Sequence, residues 1–273
     1  MVIYPIVSSI ASIILLASFI VPVVFTHVFD AIFASKGAIS SVDPTTQVLF
    51  YAAILLFYLI QYTIIYFANA ALVGVAMKRL QGGQATVGDG FRMASQRFPS
   101  ILGYALISAT IGMILRAISE RVGIVGRIAM SLIGVTWSLA AFMVIPVLIV
   151  ENVGPIKAVQ RSVALLKQTW GEQIIGRLGM GLVLLLVNVG IVAIGVSAIF
   201  AAFLVLNAST AIIITLVLVG IMIIAMTSVG ILNTTLTGIY SAATYLYAAE
   251  GKLDNGFSQE MIQGAFIARK QKQ

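Results

Sequence analysis

The chain has 273 residues, 60% of them hydrophobic and only 9% charged, whereas a soluble domain carries about 25% charged residues, so a water-facing globule is excluded. The net charge of +7 comes without a dense basic patch, which sets nucleic acid aside as a partner, and the absence of cysteine removes disulfides, thiolate metal sites and cysteine nucleophiles. Nearly all charges lie in short gaps between long apolar runs, and none lies mid-way along a run able to span a bilayer, the pattern of a polytopic membrane protein.

At about 20 apolar residues per crossing, six transmembrane helices are predicted, over 3–28, 48–77, 100–116, 129–150, 174–204 and 210–233. Only a helix satisfies its backbone hydrogen bonds within one span, and no period-2 alternation is present, so the fold class is an all-α polytopic membrane helix bundle. The first run has no Lys or Arg before it and is too long for a signal-peptide core of roughly 7–15 residues. It reads as a membrane helix kinked at Pro22, with His27 in an interfacial polar role near its outer end. A single histidine cannot form a two-histidine metal site.

Two cytoplasmic amphipathic interfacial helices are predicted between spans. Over 86–98, Thr86 and Asp89 form a capping box, and Val87, Phe91, Ala94 and Phe98 make an apolar stripe beside Arg92 and Arg97. Over 155–170, Pro155 suits the first turn. Ile156, Val159, Val163, Leu166 and Trp170 then share one face, opposite Lys157, Gln160, Arg161, Lys167 and Gln168. The order span, basic helix, span thus occurs twice, at 48–116 and 129–204, as a parallel internal repeat would. Span six does not stop cleanly at Asn233, and Tyr240, Tyr245 and Tyr247 beyond it fit an interfacial belt. Residues 1–250 form the transmembrane domain, and 251–273 a cytoplasmic tail with Ser258 as a helix N-cap.

Retention of Lys and Arg on the cytoplasmic side sets orientation. Lys78, Arg79, Arg92, Arg97, Lys157, Arg161, Lys167, Arg177, Lys252, Arg269, Lys270 and Lys272 fall on one side, against Lys36, Arg116, Arg121 and Arg127 on the other. Both termini are therefore expected in the cytoplasm, with the basic 116–127 gap as the dissenting feature.

No enzymatic constellation can be assembled: there are no paired histidines, no two buried carboxylates and no Gly-Lys-Ser/Thr phosphate loop. The spans instead hold neutral polar groups: Gln61 and Asn69 in span two, Thr136 and Trp137 in span four, Asn188 in span five, and Thr227, Ser228 and Asn233 in span six. Interhelical hydrogen bonding is their first expected role and the lining of a substrate path the second. Small-residue pairs Ala70/Gly74, Ser108/Gly112, Gly134/Ser138 and Gly238/Ala242 allow close helix approach.

Asn69-Ala-Ala-Leu-Val-Gly, Lys78-Arg79-Leu80 and Thr86-Val-Gly-Asp-Gly-Phe-Arg-Met-Ala94 form one recognisable block. Trp137, Pro146-Val-Leu-Ile-Val-Glu151, Gly154-Pro-Ile-Lys-Ala-Val-Gln-Arg-Ser162 and Thr169-Trp-Gly-Glu172 form a second. Over residues 50–250 the chain resembles a family of prokaryotic six-span integral membrane proteins of uncharacterised function. It is more loosely similar to the membrane domain fused to some glycerophosphodiester phosphodiesterases, whose catalytic domain is absent. The resemblance implies a prokaryotic cytoplasmic-membrane protein and names no catalytic residue.

The expected function is that of a non-enzymatic scaffold or accessory subunit without cofactor. It would engage membrane lipids, a protein partner or a second copy through Arg92, Arg97, Lys157, Arg161, Lys167 and Trp170. The alternative is a permease-like protein for an apolar or lipid-like solute, with Gln61, Asn69, Asn188 and Asn233 on its path.

Overall fold

The computed structural model describes residues 1–25, 44–168, 170–205 and 207–250. Lys36, His27 and the whole 251–273 tail lie outside them. All regular structure among the described residues is helical: α1 (Ile3–Phe25), α2 (Pro44–Leu80), α3 (Val87–Gln96), α4 (Phe98–Arg121), α5 (Ile124–Ala140), α6 (Val144–Val150), α7 (Pro155–Gln168), α8 (Trp170–Val205) and α9 (Ala208–Glu250). Five segments are long and apolar enough to cross a membrane: Tyr51–Leu80, Phe98–Arg121, Ile124–Val150, Gly181–Val205 and Ser209–Ala249; α1 contributes a shorter apolar stretch, Ile3–Phe19.

Helix α2 is the hub, packing against α1, α3, α4, α6 and α9. Its last turns explain why. Ala68, Ala70, Ala71, Gly74 and Ala76 give a surface narrow enough for neighbours to approach closely, and the alanines are buried with Leu72, Val73, Val75 and Met77. The first turn of α1 (Tyr4), α3 (Ala94), the start of α4 (Ile101, Tyr104), α6 (Val144, Ile145, Val147, Leu148, Ile149), α7 (Ala158, Leu165) and the last turns of α9 (Ala242, Tyr245, Leu246) complete one core. Because Lys78, Arg79, Arg92, Lys157 and Lys167 lie on the helix ends and short helices gathered there, this packed region is the basic end of the molecule.

Away from the basic end the helices are apolar and outward-facing. Helix α5 fully buries no residue and packs mainly on α4 and α7, while α8 packs on α9 and reaches α7. Val125, Ile194 and Leu204 are each more than 70% exposed, a surface that water would not tolerate and hydrocarbon would.

Two predicted elements are revised. The fourth span is not continuous: it breaks at residues 141–143 between α5 and α6. Pro146 supplies the cause, since proline has no N–H and its ring crowds the carbonyl four residues back, that of Phe142. The sixth span does not end near Asn233; α9 runs through 233–238 to Glu250. Tyr245 is consequently 2% exposed in the core and not in a surface belt, whereas Tyr247 is exposed.

Candidate functional site

The broken span is held by side chains from two other helices. Fully buried Ser162 of α7 accepts from Met143 N–H (3.1 Å) and donates to Ala140 C=O (2.5 Å), and Ser241 of α9 donates to the Phe142 carbonyl (2.8 Å) that Pro146 leaves open. Irregular backbone at membrane depth persists only where protein groups satisfy it in this way. At the far end of α6, Glu151 accepts from Arg161 Nε (3.0 Å) and from the Tyr245 hydroxyl (3.1 Å), joining α6, α7 and α9. Asn152 follows with φ +51°, the left-handed geometry in which helices commonly terminate, and its side chain accepts from Arg97.

Helix α3 is fixed with equal economy. Thr86 and Asp89 form the reciprocal capping box, and Lys78 lies 3.6 Å from Asp89. The Thr86 backbone N–H and hydroxyl, with Lys78 beside them, hold the Asp89 carboxyl below the usual carboxylate range. Tyr4 is fully buried and donates to the Val87 carbonyl (2.9 Å), with its ring edge-on to Phe91 at 5.1 Å. Gly90 makes this seat possible, because a Cβ there would come 2.7 Å from the Ala71 carbonyl and closer still to the Tyr4 hydroxyl.

The face that α7 turns inward overlaps the predicted one in part: Leu166 is buried and Val159 packs against the core, but other predicted positions give way to smaller residues. Ala158, Ser162, Leu165 and Leu166 are buried, while Ile156 is 65% exposed. Small residues at 158 and 162 permit close approach, and the open backbone at 140–143 requires the serine. Both outweigh the larger Ile156.

The six residues expected to meet lipid or a partner divide accordingly. Arg97 and Arg161 are engaged within the protein, by Asn152 and Glu151. Arg92, Lys157 and Lys167 are exposed and, among the described residues, carry no ion pair. Trp170 opens α8, but its side chain lies outside the described residues.

Among the intramembrane polar residues, Gln61 alone forms the expected bridge between helices, donating to Ser12 of α1 (2.8 Å), while its Oε1 is buried without a partner. Asn69 Oδ1 is likewise buried and unpartnered. Asn188 donates to Leu184 C=O, Asn233 accepts from Thr237, and Thr136, Thr227 and Ser228 bond carbonyls four residues back. A short polar side chain on a helix reaches its own preceding turn, so these residues need no neighbour.

A second constellation was not singled out in the sequence, although Tyr58, Tyr62 and Tyr66 recur at one-turn spacing. Their rings stack along α2 with centroids 6.3 and 5.6 Å apart and meet Tyr104 of α4 at 4.6 Å. At the outer end Arg116 donates through Nη1 to the Tyr58 hydroxyl (3.1 Å) and through Nε to Glu120 (2.9 Å). A cavity of about 120 Å³ lies there, lined by Tyr58, Tyr62, Ala109, Gly112, Met113 and Arg116. A shallower groove of about 510 Å³ is lined by Thr63, Ile64, Phe67, Ser95 and Phe98. Neither is lined by Asn69 or Asn188. Among the described residues no three His, Asp or Glu side chains cluster as a metal site would require.

Apolar helices with lipid-facing flanks, gathered on a buried base that includes a broken span, make this a multi-pass integral membrane protein. The chain belongs to the family of unknown function DUF6159, which it matches over residues 48–257. That match begins in α2 and leaves out α1, and it lends no support to the similarity with phosphodiesterase membrane domains. Comparison with curated proteins and with solved structures returns no significant match.

Proposed function

We propose that the protein is a non-enzymatic integral membrane scaffold or accessory subunit that engages lipid or a protein partner through the outer surface of its basic end. The carrying observation is the division among the cations. Arg97 and Arg161 are used to hold the base together, whereas Arg92, Lys157 and Lys167 are exposed without ion pairs among the described residues. Cations left free on short helices beside membrane spans suit anionic headgroups or an acidic partner.

In this reading the basic end faces the cytoplasm of a prokaryote, the chain crosses the membrane six times and both termini are cytoplasmic. The cation asymmetry supports that orientation. So does the meeting of Tyr4 from α1 with Tyr245 from α9 in one core, which favours an even number of crossings. Helix α1, 23 residues and about 35 Å long, has the length for the sixth crossing.

The test is simultaneous replacement Arg92→Gln, Lys157→Gln and Lys167→Gln, followed by native mass spectrometry of the gently solubilised protein. Wild type is expected to retain anionic lipid or a stoichiometric protein partner, and the triple variant to lose most of it. A wild-type protein carrying neither contradicts the proposal. The second reading, a permease-like protein for an apolar solute, draws on the buried unpartnered oxygens of Gln61 and Asn69. It is the weaker reading because neither of the two hollows described above is lined by Asn69 or Asn188.

A further inference from the structure

We propose that the hollow between α2 and α4 at Tyr58, Tyr62 and Arg116 binds a phosphate group, either free or as the headgroup of an anionic phospholipid. Its depth is the first argument. Arg116 follows Phe98, at the basic end, by 18 positions, about 27 Å of helix. Tyr58 precedes Lys78, also at the basic end, by 20 positions, about 30 Å. One hydrocarbon thickness is about 30 Å, so both helices bring these side chains to the headgroup level of the opposite face.

Donor count is the second argument. A guanidinium has five N–H donors. Arg116 places one on Glu120 and one on Tyr58, and no other acceptor takes the rest among the described residues. The Tyr58 hydroxyl, already an acceptor from Arg116, keeps its own hydrogen for donation. The Tyr62 hydroxyl lines the cavity without a hydrogen-bond partner among the described residues. Convergent donors without matching acceptors call for an acceptor-rich ligand, and phosphate accepts from Arg at two oxygens at once. Among the described residues Glu120 is the one opposing charge paired with Arg116. Its pair with Arg116 is exposed on both sides, 69% and 64%, so it is weak and yields readily to a better acceptor.

Space is the third. Gly112 has no side chain to fill the hollow, and a Cβ there would lie 3.5 Å from the Tyr62 hydroxyl. The volume of about 120 Å³ suits a headgroup fragment, whereas whole drug-sized ligands occupy roughly 300–1,000 Å³. An ordinary aromatic belt would place tyrosine at this level but would not leave a lined hollow beneath an arginine.

The full-length protein is titrated with inorganic phosphate in detergent, and its retention of phosphatidylglycerol over phosphatidylcholine is measured by native mass spectrometry from nanodiscs. Wild type is expected to bind at least one; phosphate binding identifies a free ligand, and lipid retention alone identifies a headgroup. Arg116→Gln is expected to weaken binding about tenfold or more, and Tyr62→Phe about threefold. Gly112→Leu, which fills the hollow while leaving the Arg116 charge in place, is expected to abolish it. If Arg116→Gln does not fold, the other two variants decide the matter. Binding of neither probe by wild type overturns the inference, as does wild-type affinity in all three variants. The Arg92, Lys157, Lys167 triple variant separates this site from the basic-end proposal, because it is expected to leave the phosphate site intact. Loss of the anion in that variant alone overturns the inference.

Discussion

Ser162 satisfies two backbone groups with one hydroxyl, taking the Met143 N–H and closing the Ala140 carbonyl, in a position with no access to solvent. Ser162→Ala leaves both open in a dry interior, at a cost of about 1–3 kcal/mol. Thr227→Ala removes an exposed hydroxyl that bonds only its own helix and is expected to change stability by less than about 0.5 kcal/mol. Unfolding of the two variants in mixed micelles measures the contrast, and equal effects would refute the role given to Ser162. Gly90→Ala and Gly238→Ala form a second contrast. At Gly90 the new methyl meets the Ala71 backbone carbonyl, which cannot yield; at Gly238 it meets the end of the Leu72 side chain, which can rotate away. Gly90→Ala is expected to cost about 1–3 kcal/mol by overpacking, and Gly238→Ala less, read from melting temperatures in one detergent. The roles of Thr86 and Asp89 were legible because capping has a fixed spacing. Ser162 was not, because a serine within an amphipathic run carries no sign of the distant carbonyl it must meet.

For whole elements, α3 depends on its cap, and its stability carries a pH dependence of defined sign. The Asp89 carboxyl is held below its ordinary value, so its contribution is complete above the unfolded-state pKa near 3.9 and is lost as pH falls through the lower folded value. Hydrogen exchange at 87–92, corrected for intrinsic rates, is expected to lose protection only below about pH 4. Asp89→Asn is expected to remove that step. Protection unchanged down to pH 2 in the wild type would argue against the cap.

Among the described residues helix existence was legible from span length and from the Thr86 and Pro155 start signals. The deepest positions of α7 were not, because periodicity ranks residues by size and the bundle selected small ones, Ala158 and Ser162, beside the expected Val159 and Leu166. The break in span four was written in Pro146, but a proline within an apolar run reads equally as a mere kink. The tyrosine column was present at one-turn spacing along α2, yet only α4 packing beside it turns three stacked rings into the wall of a hollow.

The molecule as a whole is a packed basic base carrying long apolar shafts. Burial concentrates where α2 ends, α1 begins and α9 ends, while α5 and α8 touch little besides one shaft each and α7. Charge counting anticipated the basic end, but nothing in the sequence indicated that the inner faces of the short helices would dock into the core. That docking gathers the two ends of the described chain into one packed region, which the proposed topology places at a single membrane face. Because the native protein lacks cysteine, single replacements at exposed Gln84, Gln160 and Gly123, labelled in intact cells with a membrane-impermeant maleimide, test it most directly. Gln84→Cys and Gln160→Cys are predicted to be protected until the membrane is opened and Gly123→Cys to label from outside; labelling of 84 and 160 from opposite faces, or of 123 from the same face as both, would contradict the account.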